Sequence, residues 1–296
     1  MIHKLGNIVE QAVVDAFRTA VIKIPPDVKN ALEKAYVTED NQMSRSQLEA
    51  ILKNIELAVK LGKPVCQDTG TPHVYVKVGY GFPIELKDMK IIEESIINGV
   101  KRATKEIPLR PNTVDPFTGK NPGDNTGRYM PIIHYELVDS DSLEITVVPK
   151  GGGSEYVSVL EMPPPGEGIK AVKRIVVDAV LKAGSMPCPP TVVGVGVGGG
   201  SDTALFLAKK AACIRKLGTV NPDSTIDKLE KELYTAINKL GIGAMGLGGR
   251  TTVLAVHIDY AYKHPANLPV GVVFQCWALR RATAIISSTG EYSIHQ

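Results

Sequence analysis

The chain has 296 residues, of which 44% are hydrophobic and 22% charged, a composition typical of a globular protein with a substantial core. Its 34 basic and 31 acidic residues give a net charge of +3, and no basic block is interleaved with aromatic residues, which argues against nucleic acid as a partner. A chain of this length is expected to form one large domain or two closely packed ones.

The N-terminal segment carries Glu10 and Asp15 among its apolar positions. Charges at this spacing are typical of an amphipathic helix and not of the unbroken apolar stretch of a signal peptide. No later window supplies roughly 20 uninterrupted apolar residues, the length that a membrane span needs. The sequence therefore favours a cytoplasmic protein.

The first 63 residues are predicted to be helical, because apolar residues recur there at helical spacing. The first helix is interrupted at Pro25–Pro26, a second is expected over about Asp27–Tyr36, and a third begins at Ser44 and ends at Gly62. We expect this region to serve as scaffold or in subunit packing.

The remainder of the chain mixes predicted strands and helices, which indicates an α/β fold. The predicted strands are His73–Val78, Ile132–Leu137, Leu143–Val148, Thr191–Val197, Thr252–Ile258 and Val270–Phe274. The predicted helices are Ile91–Thr104, Gly168–Lys182, Ser201–Leu217 and Thr225–Leu240. We expect one domain over residues 1–296, in which a helical N-terminal portion of about 1–63 packs on mixed helices and strands around glycine-rich loops.

The four cysteines of the chain are too few and too scattered for a secreted disulfide framework. No CxxC pair occurs, which argues against a zinc ribbon or a thioredoxin-like site. In a reducing compartment these thiols are expected to be free, buried or bound to metal.

Two of the cysteines lie in irregular segments. Cys66, in VCQDTGTP, follows the end of a predicted helix and is surrounded by polar groups, whereas a structural cysteine normally lies in an apolar periodic stretch. This setting favours a thiolate ligand or a nucleophile. Cys188 has prolines on both sides, which fix the backbone; a rigid loop that presents a metal ligand and a buried cysteine in a tight turn both fit this pattern.

The other two cysteines follow apolar patterns. Cys276 ends an apolar run, and its position alone favours a core residue. Cys213 lies at helical spacing from Phe206 and Leu217, so we predict it to be helix core and not a ligand.

Three glycine-rich segments, PKGGGSE, GVGVGGGSD and GAMGLGGRTT, allow backbone amides to approach an anion or a metal cluster closely. The second contains GxGxxG at Gly194, Gly196 and Gly199, but the acidic residue that a dinucleotide site needs about 20 residues later is not evident. We therefore reject nicotinamide binding. No glycine-lysine-hydroxyl ending exists in the sequence, so a P-loop is also excluded.

Two charged or titratable residues lie in loops next to prolines. Arg110, in LRPN, carries a guanidinium suited to a bidentate grip on a carboxylate. His264, in KHPANLP, is a candidate for proton transfer. For each residue taken alone, an ordinary exposed loop position is the more common interpretation.

Taken together, CQDTG, LRPN, PKGGGSE, PCPP, GAMGLGGRTT and HPANLPV…QCW resemble the motifs of the iron–sulfur (class I) fumarate hydratase and L-tartrate dehydratase family. More narrowly, the chain resembles the alpha subunit of the two-subunit form. The motifs follow the family order and cover nearly the whole chain.

The resemblance implies a [4Fe–4S] cluster held by Cys66, Cys188 and Cys276, which match the three ligand motifs of the family. Three thiolates for four irons leave one iron without a protein ligand. Such an open iron can act as a Lewis acid on the substrate hydroxyl and carboxylate. Cys213 is the one remaining candidate for a fourth ligand, and its helical, apolar setting argues against that role.

The resemblance also implies reversible hydration of fumarate to malate, with Gln67, Asp68, Arg110 and Gly152 at the substrate. Arg110 is expected to grip a carboxylate, to which the amide of Gly152 donates a hydrogen bond. Asp68 and His264 are the candidates for proton transfer to the departing oxygen, and Asp68 ranks first because it adjoins a ligand.

The family further implies a separate beta subunit that completes the active site, so we expect the chain alone to be inactive. Pairing of two alpha subunits is also implied, with His264 reaching the neighbour's site. L-Tartrate dehydration and mesaconate hydration remain alternatives within the same chemistry. Outside it, the alternatives are a non-catalytic iron–sulfur protein in electron transfer or sensing, and a metal-free α/β binding module.

Overall fold

The computed structural model describes residues 2–296, and for residues 2–4 the backbone alone. The first residue of the predicted domain 1–296, Met1, lies outside the described residues. The chain divides into two compact units. Unit 1 comprises Met1–Pro25, Ile55–Lys150 and Arg280–Gln296, and unit 2 comprises Pro26–Asn54 and Gly151–Leu279.

The described secondary structure is mixed α/β, which confirms the predicted fold class. The helices are α1 (Ile2–Ile22), α2 (Pro26–Thr38), α3 (Gln42–Leu61), α4 (Met89–Glu106), α5 (Gly152–Tyr156), α6 (Gly168–Ala183), α7 (Ser201–Cys213) and α8 (Ser224–Asn238). The strands are β1 (Thr71–Gly79), β2 (Ile132–Val138), β3 (Leu143–Lys150), β4 (Val159–Glu161), β5 (Thr191–Gly199), β6 (Val253–Lys263), β7 (Val270–Gln275), β8 (Ala282–Ile286) and β9 (Tyr292–His295). Short 3-10 segments occur at Leu86–Asp88, Pro165–Glu167 and Ala244–Gly246.

Unit 1 is built on a sheet in the order β2-β1-β3-β8-β9. Strands β1 and β2 pair in parallel, and the other neighbours pair antiparallel. Apolar residues of α1 and α4 pack with β1, β3 and β8 in one buried cluster. The apolar stripes read from the sequence therefore form the core of this unit.

Unit 2 is built on a sheet in the order β4-β7-β5-β6. Strands β5 and β6 are parallel, and β7 is antiparallel to both β4 and β5. Helices α6 and α8 contribute their apolar faces to the buried cluster of this unit. Because β5 and β7 run in opposite directions, the start of β5 lies beside the end of β7.

The glycines of β5 allow helix α7 to pack closely on the sheet. A Cβ atom on Gly194 would lie 2.0 Å from the carbonyl oxygen of Ala208, and one on Gly196 would lie 2.0 Å from that of Ala204. Both oxygens belong to the backbone of α7 and cannot move without displacing the helix. Close helix–strand packing therefore accounts for these two glycines without a nucleotide.

We predict that Gly196→Ala destabilises unit 2 by about 3 kcal/mol or more, because overpacking against backbone shifts a whole helix. Urea denaturation followed by circular dichroism measures this change. Gly166→Ala is the matched control, since nothing lies within 4 Å of the added Cβ atom. Equal unfolding free energies for Gly196→Ala and the parent chain would contradict this packing argument.

The predicted ends of one strand and one helix are wrong. The strand expected over Thr252–Ile258 continues to Lys263. The helix expected over Ser201–Leu217 ends at Cys213. Beyond it the chain turns through Gly218, which has a φ of +82°, and the carboxylate of Asp27 accepts a hydrogen bond of 2.8 Å from the Leu217 amide. Asp27 is 190 residues away in sequence. Its contact with the turn therefore could not be predicted from the spacing of apolar residues.

None of the helices in residues 2–296 combines the length and the apolar character that crossing a membrane requires.

Candidate functional site

The Cys66–Gly70 loop joins α3 to β1 in unit 1. The carboxylate of Asp68 accepts a hydrogen bond of 2.8 Å from the amide of Gly70 and thereby closes a tight turn. Gly70 has a φ of +79°, and a Cβ atom there would lie 2.5 Å from the carbonyl carbon of Pro149. Only glycine fits this position. Within the loop Cys66 and Asp68 are half-buried, and Gln67 is exposed.

The segment that carries Arg110 is hydrogen-bonded to this loop. The Arg110 amide donates to Thr69 Oγ1 at 2.9 Å. The side-chain amide of Asn112 donates to Asp68 Oδ1 and to the carbonyl of Gly70, both at 3.1 Å. The structure thus brings the carboxylate of Asp68 and the exposed Arg110 segment into one loop cluster.

Asn125 is a supporting residue of this cluster that the sequence analysis did not single out. It is 3% exposed, and its Nδ2 donates to the carbonyl of Arg110 at 2.9 Å and to Thr104 Oγ1 at 3.1 Å. Its Oδ1 accepts from the Asn112 amide at 2.7 Å. A left-handed φ of 61° at a non-glycine residue is the local signal of a special role, but it is visible only in the structure.

We predict that Asn125→Ala destabilises the chain by about 2 kcal/mol, because buried groups lose their hydrogen-bond partners. Chemical denaturation measures this effect. Asn121→Ala is the matched control, because Asn121 is exposed in the same connection between α4 and β2. An Asn125→Ala chain with unchanged stability would contradict the proposed support.

Arg280 is a second residue that the sequence analysis passed over. It is 2% exposed, and its Nη1 donates to the carbonyl oxygen of Asp68 at 2.7 Å. The one feature of the sequence that could have indicated a role for Arg280 is its position four residues after Cys276, in CWALRR. A basic pair after a possible ligand is too common to indicate a role without the contact.

In unit 2 the segments that carry Cys188 and Cys276 adjoin. The Cys188 amide donates to the carbonyl of Ser185 at 3.0 Å, and the Cys188 carbonyl accepts from the Trp277 amide at 3.2 Å. Strand pairing explains this, since Val192 near the start of β5 pairs with Gln275 at the end of β7. Both cysteines are half-buried, and Cys188 has a φ of +52°.

The glycine-rich turn before β6 is anchored by a buried carboxylate. Glu39 is 2% exposed and accepts hydrogen bonds of 3.1 and 2.9 Å from the Arg250 amide. Gly249 has a φ of +117°, and a Cβ atom on it would lie 2.7 Å from this carboxylate. The Met245 amide of the same turn donates to the carbonyl of Pro189 at 2.8 Å. The turn therefore supports the Cys188 segment.

One exposed ion pair flanks this turn. The Arg250 side chain donates a hydrogen bond of 2.7 Å to Asp40. This bond lowers the pKa of the Asp40 carboxyl and raises the pKa of the Arg250 guanidinium.

Gly152 and His264 occupy other positions in unit 2. Gly152 begins the short helix α5 and is exposed; a Cβ atom on the next residue, Gly153, would lie 3.1 Å from the carbonyl of Met186, so α5 lies beside the segment that leads to Cys188. His264 is exposed in the turn between β6 and β7, where its Nδ1 accepts from the Ala266 amide at 3.1 Å. Its contacts are local.

Cys213 lies at the end of α7 and is 1% exposed. Its sulfur accepts a hydrogen bond of 3.1 Å from Gln275 Nε2. The prediction that Cys213 is helix core is confirmed by this burial.

Across the described part of the chain, no three His, Cys, Asp or Glu side chains converge tightly enough to ligate a single metal ion. A multi-iron cluster makes a different demand, since each of its protein ligands binds a separate iron. The three candidate cysteines lie in irregular segments and are partly exposed. Both features suit a thiolate ligand better than the buried helical position of Cys213 does.

The chain belongs to the fumarate hydratase (Fumerase) family, whose profile matches residues 10–285. It is 50% identical over 276 residues to a protein of Methanocaldococcus jannaschii provisionally named L(+)-tartrate dehydratase subunit alpha, covering 93% of this chain and 96% of that one. The L(+)-tartrate dehydratase subunit alpha of Escherichia coli K12 is 35% identical over 271 residues, covering 90% and 88%.

A protein of Geobacillus stearothermophilus provisionally named class I fumarate hydratase is 34% identical over 279 residues, which are 91% of this chain and 53% of that protein. These relatives are hydro-lyases by name. The resemblance to the alpha subunits of the class I family that the motifs predicted is confirmed.

Proposed function

We propose that this chain is the alpha subunit of an iron–sulfur hydro-lyase that adds water to fumarate to give malate, and reverses that reaction. The observation that carries the proposal is the hydrogen-bonded joining of the Cys66–Gly70 loop to the Arg110–Asn112 segment. It unites a half-buried thiol, an oriented carboxylate and an exposed guanidinium. Membership of the family supports the reaction class.

We further propose that Cys66, Cys188 and Cys276 ligate a [4Fe–4S] cluster. The setting of these residues fits such a group: hydrogen bonds hold the backbone of Cys188 and of Val65 and Trp277, the neighbours of Cys66 and Cys276, and all three cysteines are half-buried. When bound, the cluster would supply an iron without a protein ligand that acts as a Lewis acid.

The remaining roles belong to side chains and amides of the chain itself. Arg110 makes no side-chain hydrogen bond or ion pair with the described residues, so its guanidinium is available to grip a substrate carboxylate. The amide of Gly152 and the side chain of Gln67 donate further hydrogen bonds to the substrate. These groups orient the dicarboxylate so that a single hydroxyl is presented for elimination.

Proton transfer to the departing oxygen is assigned to Asp68, with His264 as the second candidate. Two hydrogen bonds, from the Gly70 amide and the Asn112 side chain, orient Asp68 Oδ1. His264 has no comparable support, because its one described side-chain hydrogen bond is to the nearby Ala266 amide. The fixed orientation favours Asp68.

The alpha-subunit names of the relatives support a separate beta subunit as the partner that completes the active site. We propose that pairs of alpha subunits form within a cytoplasmic hetero-oligomer, with His264 reaching the neighbour's site. The Geobacillus stearothermophilus relative, of which this chain covers 53%, supports a division of one catalytic unit into two polypeptides.

L-Tartrate dehydration is the second candidate function. It is favoured by the names of the Methanocaldococcus jannaschii and Escherichia coli relatives, both tartrate dehydratase alpha subunits. Fumarate, tartrate and mesaconate all carry carboxylates on adjacent carbons, so contacts of Arg110 and Gly152 with the carboxylates do not by themselves select among them.

The test is an oxygen-free assay of this chain with and without its beta partner, using malate, L-tartrate and mesaconate in parallel. We expect turnover of malate with the pair and none with the chain alone. Turnover of L-tartrate in preference to malate would replace the first candidate by the second. A redox-active cluster without turnover of any of the three acids would favour an electron-transfer or sensing protein instead.

A further inference from the structure

Arg280 is a buried cation whose hydrogen-bonding capacity is largely unused within the described part of the chain. The side chain is 2% exposed. Its Nη1 donates to the Asp68 carbonyl at 2.7 Å, whereas its buried Nε has no hydrogen-bond partner among residues 2–296. No carboxylate of these residues forms an ion pair with it.

A buried guanidinium without a counter-charge is strongly unfavourable, because desolvation removes the water that would stabilise it. Such a residue is normally retained where an anion is bound nearby. The hydrogen bond from Arg280 to Asp68 indicates where such an anion would bind, since Asp68 lies two residues from Cys66 in the same unit. A metal centre ligated by thiolates carries negative charge and would supply the counter-charge that is missing beside Arg280.

We propose that Arg280 is a positioning residue of the cluster site, one that fixes the Cys66–Gly70 loop through the Asp68 carbonyl and balances the charge of the thiolate-bound cluster. This inference rests on the proposed function. It assigns two separable properties to one side chain: a hydrogen bond that orients Asp68, and a positive charge that favours the reduced, more negative state of the cluster.

Arg280→Lys and Arg280→Met separate these properties. Lysine keeps the charge but not the planar fork of donors, and methionine removes both while filling similar space. We expect both variants to lower kcat by about 10- to 100-fold, as loss of a supporting partner typically does, with a smaller change in KM. We expect the reduction potential of the cluster, measured by EPR-monitored titration, to fall in Arg280→Met and to stay near the parent value in Arg280→Lys.

Arg102→Lys is the matched control, because Arg102 lies in unit 1 and is held by Glu10 and Gln11 on α1. We expect it to change neither kcat nor potential. A parent-like potential in Arg280→Met at equal iron content would overturn the role as counter-charge, and a parent-like kcat in both Arg280 variants would overturn the role in positioning.

Hydrogen exchange in the chain freed of metal adds a measurement that does not depend on the cluster. We expect amides of residues 66–70 to exchange faster in both Arg280 variants than in the parent and the Arg102→Lys chain. Unchanged exchange would overturn the positioning role. Absence of a cluster from the parent enzyme would contradict the proposed function, and in that case the exchange result still decides whether Arg280 positions the loop.

Discussion

Cys66→Ser, Cys188→Ser and Cys276→Ser are each expected to reduce dehydratase turnover to background. Serine is nearly isosteric with cysteine, but its hydroxyl does not ionise near neutral pH, whereas the thiolate is the form that ligates iron. Each variant therefore tests a ligand with little change in volume. The measurements are iron and sulfide content and turnover under oxygen-free conditions, with the beta partner present.

The matched control for this series is Cys213→Ser. Cys213 is buried in α7 and accepts a hydrogen bond from Gln275, so its substitution is expected to lower stability modestly while the iron content stays at the parent level. Full turnover after any one of the three ligand substitutions would contradict the assignment, as would loss of iron in Cys213→Ser alone.

Asp68→Asn is expected to lower kcat by about 10²- to 10⁴-fold, the range typical for removal of a general acid or base. Asparagine keeps a side-chain oxygen that can accept the Gly70 amide hydrogen bond, so the turn is preserved while the ionisable group is lost. Iron content is therefore expected to stay at the parent level. Turnover measured with that content verified separates proton transfer from loop structure.

Asp124→Asn is a close control for Asp68→Asn. Asp124 is half-buried in the same unit and closes a similar turn, since its Oδ1 accepts from the Thr126 amide at 3.1 Å. We expect this variant to retain parent turnover. His264→Asn completes the comparison: a loss larger than that of Asp68→Asn would reverse the ranking of the two candidates, and an Asp68→Asn enzyme within about twofold of the parent would remove Asp68 from the proton-transfer step.

The elements with strong periodicity could be read from the sequence because each carries its own signal. The helix over Gly168–Ala183 and the strand over Leu143–Lys150 have apolar residues on the faces that become buried. The short strands β4, β8 and β9 and the five-residue helix α5 were not predicted. Each of these elements is too short to show a clear hydrophobic period. The three strands are ordered by pairing with neighbouring strands.

Candidate site residues could likewise be predicted only where the neighbouring sequence carries a signal. Cys66 was distinguished by the polar residues beside it, and Cys213 by apolar residues at helical spacing. Glu39, Asn125 and Arg280 carry no local mark, because their partners Arg250, Arg110 and Asp68 lie 211, 15 and 212 residues away along the chain. Such contacts are created by the fold and cannot be derived from spacing.

The glycine-rich run of β5 shows how one pattern can have two physical causes. Glycines admit both an anionic ligand near the backbone and a closely packed helix. The absence of a suitably placed acidic residue argued against a dinucleotide, and the approach of α7 to Gly194 and Gly196 supplies the positive reason for their presence.

The most direct test of the central claim is iron and acid-labile sulfide analysis of the chain purified without oxygen together with its beta partner. We expect about four irons and four sulfides per chain, with Cys188→Ser falling well below that content and Cys213→Ser matching the parent. A fully active pair that contained neither iron nor sulfide would contradict that claim.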